Sequence, residues 1–169
     1  MKSDWYVLNI RDAEWRDCGP RGHVTKLVRE DDAQVGVNLF VLGPGEPMAM
    51  YHWEADQEGF LVLSGEATLI IDGEERTIRQ WDYVHCPPGV PHTRIGAGPG
   101  TGSGPCVILA LGARIDSIKE EGWGGYPFSE LAMRYNASTE EETDKAEVAY
   151  ARFPRSTAGE FREEWLAGE

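Results

Sequence analysis

The chain has 169 residues, enough for one domain with a core of its own, and at 41% hydrophobic residues it is composed like an ordinary globular protein. Its 29 acidic against 16 basic residues give a net charge of -13, which argues against a nucleic-acid or anionic-membrane partner, since clustered Lys and Arg lead both attractions. Cys18, Cys86 and Cys106 are too few and too irregularly spaced for a disulfide framework or a Cys-x-x-Cys zinc site; no apolar run could span a bilayer, Met1-Lys2-Ser3-Asp4-Trp5 is no signal-peptide start, and the expected location is cytoplasmic.

Residues 5–10, Trp-Tyr-Val-Leu-Asn-Ile, predict a first strand, after which Cys18-Gly19-Pro20 and Arg21-Gly22 break the chain into turns. His23 to Arg29 reads as a second strand. Val35 to Leu42 is a stronger one, closed by Gly43-Pro44-Gly45-Glu46-Pro47, which fits neither a helix nor a central strand. A strand resumes from Met48 to Glu54. Then a meander is expected: Glu58 to Ser64, Ala67 to Ile71, an Asp72-Gly73 hairpin turn, Arg76 to Ile78, Tyr83 to Cys86, Thr93 to Ile95 and Cys106 to Leu111. Short strands with closely spaced turns make an all-β sandwich or barrel. In Glu58 to Ser64 one face carries Glu58, Phe60 and Val62 and the other Leu61 and Leu63, so the outer face needs cover from the C-terminal segment or a second subunit.

Gly96 to Pro105 is a glycine-rich stretch expected to form a mobile hairpin loop; it lacks the Gly-Lys-Ser/Thr ending of a phosphate loop and opens no helix. Gly122-Trp123-Gly124-Gly125-Tyr126-Pro127 also reads as loop. Beyond it Ser129 is a candidate N-cap for Glu130 to Tyr135. Ser138-Thr139-Glu140-Glu141 is a capping box for a helix reaching Phe153, and Thr157-Ala158-Gly159-Glu160 is another ahead of Phe161 to Leu166. Ala146, Ala149, Tyr150 and Phe153 would give the longer helix one apolar face.

The candidate chemistry lies between Met50 and His92. His52-Trp53-Glu54 and Glu58, the latter followed by six residues and Gly65, resemble the first motif of the cupin superfamily, Gly-(x)5-His-x-His-(x)3,4-Glu-(x)6-Gly. Pro87-Pro88-Gly89 and His92 resemble the second, Gly-(x)5-Pro-x-Gly-(x)2-His. Glu54 departs from the first, standing where the family has a histidine, and Trp81 departs from the second, standing where it usually has glycine.

The resemblance implies an all-β cupin double-stranded β-helix, a jelly-roll barrel, with a short C-terminal helical extension. Residues 1–34 would supply strands and a loop joining the barrel, 35–112 the conserved barrel, and 113–169 a loop and helices packing on the barrel or a dimer mate. It also implies a homodimer, a small-molecule ligand, and one divalent ion, zinc, iron, manganese or nickel, on His52, Glu54, Glu58 and His92. Two residues apart on one strand, His52 and Glu54 would share a face and meet Glu58 and His92 from other strands. Counting from Gly45, or back four residues from Glu58, lands instead on Tyr51 and Trp53, which would line the pocket with aromatics and turn His52 and Glu54 outward. The first register is preferred, since it sets four ligand-type residues at ligand positions. His85 has the parity that points away from the pocket, and Gln57, Tyr51 and Arg94 are the nearest polar groups that could steer protons. The expected function is a metal-binding cupin that binds or converts a small polar metabolite inside the barrel. The alternatives are a non-haem iron dioxygenase, a sugar-phosphate isomerase-like enzyme, or a metal-free ligand-binding or structural cupin. Only Arg76 and Arg94 lie near the motifs as anchors for a phosphate, which weighs against the isomerase.

Overall fold

A computed structural model describes residues 5–29, 33–97, 104–115 and 122–166. Its strands are β1 (Trp15–Asp17), β2 (His23–Lys26), β3 (Val35–Leu42), β4 (Trp53–Glu54), β5 (Glu58–Ser64), β6 (Glu66–Ile71), β7 (Glu74–Arg79), β8 (Tyr83–Cys86), β9 (His92–Gly96), β10 (Cys106–Ala113), β11 (Gly124–Gly125) and β12 (Thr157–Gly159), with short helices α1 (Glu130–Met133) and α2 (Ala146–Ala149). All strand pairs are antiparallel. One sheet runs β12-β1-β2-β3-β10-β5-β8, a second β7-β6-β9, and β11 pairs with β4. The fold is thus mainly antiparallel β with few short helices, a cupin-type barrel of two sheets.

Alternation along the central strands explains the core. Phe60 and Val62 of β5, Ile108 of β10 and Leu42 of β3 point inward and are fully buried, meeting Leu69 of β6 and Ile78 of β7 from the other sheet. The outward residues Leu39, Val41, Val107, Leu63 and Leu109 pack against Trp15, Trp165 and Phe161. The rings of Trp15 and Trp165 stand 4.7 Å apart. Both ends of the chain therefore cover much of the outer face. Asp72 and Gly73 each take positive φ, 49° and 77°, as the tight turn between β6 and β7 requires. β7 is an edge strand with only Ile78 buried, its charged Glu74, Glu75 and Arg76 facing solvent.

Several sequence expectations are corrected. Residues 5–9 form no strand and Ile10–Asp12 is a 3-10 turn, with the Asn9 side chain accepting from the Arg11 amide. Trp5 and Val7 are exposed, so nothing holds that segment in a sheet. The first strand is instead Trp15–Asp17, immediately ahead of the Cys18-Gly19-Pro20 turn. Met48 to Glu54 is not one continuous strand: Pro47 and His52 bridge singly to Ile95 and His92, so residues 48–51 oppose only 93–94 and the chain bulges. β9 and β10 lie in different sheets and do not pair, so they form no hairpin; residues 98–103, to which the expectation of mobility applied, fall outside the described residues.

Ser129 caps α1 as expected, accepting from Ala132 N. Ser138 caps nothing: it is buried, accepts from Ser129 N at 2.8 Å and donates to Thr139 O, so α2 is only one turn. Thr157–Gly159 is a strand because β1 offers it an open edge.

Trp81 adopts φ 74° while 69% exposed. A bulky side chain in the left-handed region costs about 1–2 kcal/mol, whereas glycine there gives back about 0.5–1 kcal/mol in chain entropy. Trp81→Gly is expected to raise the melting temperature by about 2 °C, measured by calorimetry; a lower value would show that Trp81 contributes contacts beyond its strained backbone.

Candidate metal centre

His52 and His92 are opposed across paired backbone, each amide bonding the other's carbonyl, His52 N to His92 O at 3.2 Å and His92 N to His52 O at 2.8 Å. Their ring centroids lie 4.9 Å apart. β9 reaches this place because the Pro87-Pro88-Gly89 turn, with Gly89 at φ 80° donating its amide to Glu54 O, carries the chain from one sheet to the other. Glu58 comes from the opposite sheet, at the start of β5. Its Oε2 stands 2.9 Å from His92 Nε2 and 3.9 Å from His52 Nε2. Ligand atoms of His52, Glu58 and His92 all lie within 4.8 Å of one another. Glu54 stands outside this group, its Oε1 3.5 Å from His52 Nε2.

The hydrogen bonds fix which nitrogen faces inward. His52 Nδ1 is 2.7 Å from Met50 O and His92 Nδ1 is 2.8 Å from Val90 O. A carbonyl only accepts, so each Nδ1 carries the proton and each Nε2 presents a lone pair to the centre. His92 Nε2 and Glu58 Oε2 are both buried without a hydrogen-bond partner. Burial, then the charge of Arg94, pushes the His92 pKa down to about 4, so at neutral pH no proton lies between these two acceptors. Burial alone would raise the Glu58 carboxyl, but nearby His92 and the charge of Arg94 outweigh it and hold the group below its usual range. Two lone pairs at 2.9 Å, one from a carboxylate, repel unless a cation joins them. That spacing suits neighbouring ligands of one ion with bonds of about 2.0–2.2 Å. The donor set, two imidazoles and a carboxylate, fits a divalent transition metal.

Of the remaining sequence candidates, Tyr51 points away, packed with Ile70 and Ile95 and accepting from Gly73 N. The bulge before His52 thus puts His52 and Glu54, not Tyr51, toward the pocket. Gln57 is exposed, and His85 is exposed on the outer side of β8. Arg94 is fully buried inside the barrel, its guanidinium 3.1 Å from the Phe60 ring centroid, with Nε and Nη2 unpartnered and its pKa lowered by burial.

A pocket of about 570 Å³ opens in front of the centre. Sequence reasoning missed its aromatic wall, Trp123, Tyr126 and Tyr150, which comes from the C-terminal segment. Trp123 and Tyr126 stand 5.0 Å apart, and Tyr126 lies 6.1 Å from the His52 ring. Burial, with Tyr150 alongside, raises the Tyr126 phenol above its ordinary value, so it stays protonated. Gly124 lets this wall approach: a Cβ there would stand 2.0 Å from Trp53 O. The one available signal was two aromatics set among glycines.

The family model described as Cupin domain matches residues 38–111. Among solved structures, the chain is similar to a sugar phosphate isomerase from the cupin superfamily of Silicibacter pomeroyi at 22% identity, covering 65% of this chain and 76% of that one with a TM-score of 0.57. It is also similar to the polyketide cyclase RemF of Streptomyces resistomycificus at 19% identity, 64% and 79% coverage and a TM-score of 0.54. A Cupin 2 conserved barrel domain protein of Salinispora arenicola follows at 18% identity, 70% and 94% coverage and 0.52. At these identities the likeness is one of fold. No curated protein matches the chain by sequence. Among the described residues no helix is long and apolar enough to cross a membrane.

Proposed function

We propose, from the premise that residues 38–111 are a cupin domain, that the protein holds one divalent metal ion on His52, Glu58 and His92 and binds or converts a small polar metabolite in the pocket before it. The observation that carries this is the pair of buried, unpartnered acceptors, His92 Nε2 and Glu58 Oε2, facing each other at 2.9 Å. The Met50 and Val90 carbonyls lock both rings so that Nε2 serves as ligand. Glu54, 3.5 Å from His52 Nε2, is either a fourth ligand or the acid–base group at the pocket face. Trp123 and Tyr126 shield one side of the site from water. When bound, the ion supplies Lewis-acid polarisation of a ligand oxygen or activation of water or oxygen. Iron, manganese, zinc and nickel all suit the donors. Elemental analysis of protein purified without a histidine tag tests the reading: near-stoichiometric metal is expected, and no metal even after reconstitution would overturn it.

A second reading, an iron-dependent oxygenase, is favoured by the set of two histidines and one carboxylate. Oxygen uptake by the iron-loaded protein with candidate substrates is its test, and none above the metal-free control would remove it.

A further inference from the structure

The pocket is scooped from the large sheet by residues with little or no side chain. Register sets Gly36 of β3, Gly112 of β10 and Glu58 of β5 in one row, and Lys26 of β2, Asn38 of β3 and Ala110 of β10 in the next. A Cβ on Gly112 would meet only Glu58 Cγ, at 3.9 Å, so this position opens on the cavity. Three strand spacings, about 14 Å, separate β5 from β2. Lys26 therefore stands at the rim opposite the candidate metal ligands.

Among the described residues the Lys26 side chain makes no hydrogen bond and no ion pair. Asp12 and Glu14 line the adjoining cavity with it, yet neither forms an ion pair with Lys26, and an unengaged ammonium in a chain of 29 acidic residues is a mark of what enters. Beside it, Asn38 has its side-chain oxygen buried without a partner, a second unmet polar group on the same wall. Arg114 adds another cation to this rim, lying over Gly36. Lys26 and Asn38 also line the adjoining cavity, so the space beyond the rim is open. The span between the two ends is flanked by Phe40, Trp123 and Tyr126.

We propose that the pocket takes a small organic acid whose carboxylate pairs with Lys26 while an oxygen at its other end faces the metal and its apolar middle lies along the aromatic wall. The inference rests on the metal reading above and adds the substrate class. An ammonium that has kept its hydration at the rim gains a charge-assisted bond when the carboxylate arrives, and an amide in place of that carboxylate forfeits most of it.

Glutarate and adipate, each compared with its own monoamide, are the probes, titrated by calorimetry into zinc-loaded protein whose metal content is measured in parallel. The better-fitting diacid is expected to bind about tenfold or more tightly than its monoamide. Lys26→Gln should abolish that preference with metal content unchanged. Gly112→Val, which fills the floor, should weaken acid and monoamide alike, again with metal retained. Equal binding of acid and monoamide, an acid preference that survives in Lys26→Gln, or no detectable binding of either acid would overturn the proposal. Tighter binding of glycerol 3-phosphate than of both diacids would overturn the carboxylate assignment. A wild-type protein without metal would instead sink the earlier reading, and the elemental analysis distinguishes the two failures.

Discussion

His92→Ala is expected to yield a folded protein that retains no metal after purification. The substitution removes one of three convergent donors, and even changes one shell further out cost about 10–100-fold in metal affinity, so loss of a donor should exceed that. Emptying a buried position costs stability, typically about 2–5 kcal/mol for a large side chain. Here the cost to the metal-free protein should fall at the low end, because the lost ring was one of two acceptors opposed at 2.9 Å. Metal present at about a thousandfold over its dissociation constant stabilises by about 4 kcal/mol, or roughly 8–16 °C in melting temperature for a chain of this size. Wild type should show such a rise and His92→Ala none. Glu58→Gln is the matching control, keeping the shape while removing the charge, and it should behave as His92→Ala does. An unchanged metal content in His92→Ala would refute the site.

Lowering the pH from 7 to 4.5 is expected to cost the metal-free protein about 2–3 kcal/mol through His92 alone. In the unfolded chain this imidazole titrates at its ordinary 6.5, whereas in the fold burial and the charge of Arg94 push it down to about 4. Between those values the unfolded chain takes up a proton that the folded chain refuses, so stability drains away as pH falls through the window and returns as it rises. Glu58 acts in the same direction: its lowered folded pKa favours the folded state above the ordinary carboxyl value, and that advantage is lost as pH falls toward the lowered one. Urea unfolding of chelator-treated wild type and His92→Gln at both pH values is the measurement. The variant should lose about 2–3 kcal/mol less than wild type; equal losses would mean that His92 titrates normally in the fold.

The barrel strands were readable because two constraints coincide there. In β5 and β8 the inward Phe60, Val62, Val84 and Cys86 alternate with outward residues, and tight turns leave a single register. The chain ends offered no such agreement. Residues 5–10 have strand composition but no neighbour, while Trp15–Asp17 pairs because Trp15 has Trp165 to pack on. Local capping patterns at Ser138 and Thr157 yielded to tertiary partners in the same way. At the site, His52, Glu58 and His92 stood out as ligand-type residues at motif spacing, and periodicity alone could not choose between His52 and Tyr51, since a bulge sets that choice. Lys26, Asn38 and Gly112 are ordinary residues locally. Only cross-strand register brings them to one cavity with Glu58.

The candidate ligands lie between residues 52 and 92, and the aromatic wall between 123 and 150, so the two are made at different moments of synthesis. Chains fold from the N-terminal side as they emerge. The barrel strands that carry His52, Glu58 and His92 can pair before Trp123, Tyr126 and Tyr150 leave the ribosome, and an ion then has its widest route to the centre. β12, pairing with β1, joins a strand made after the aromatic wall to one made before the candidate ligands. On the metal reading proposed above, the donors meet an ion before the aromatic wall is in place, whereas exchange in the finished protein runs through the pocket in front of them.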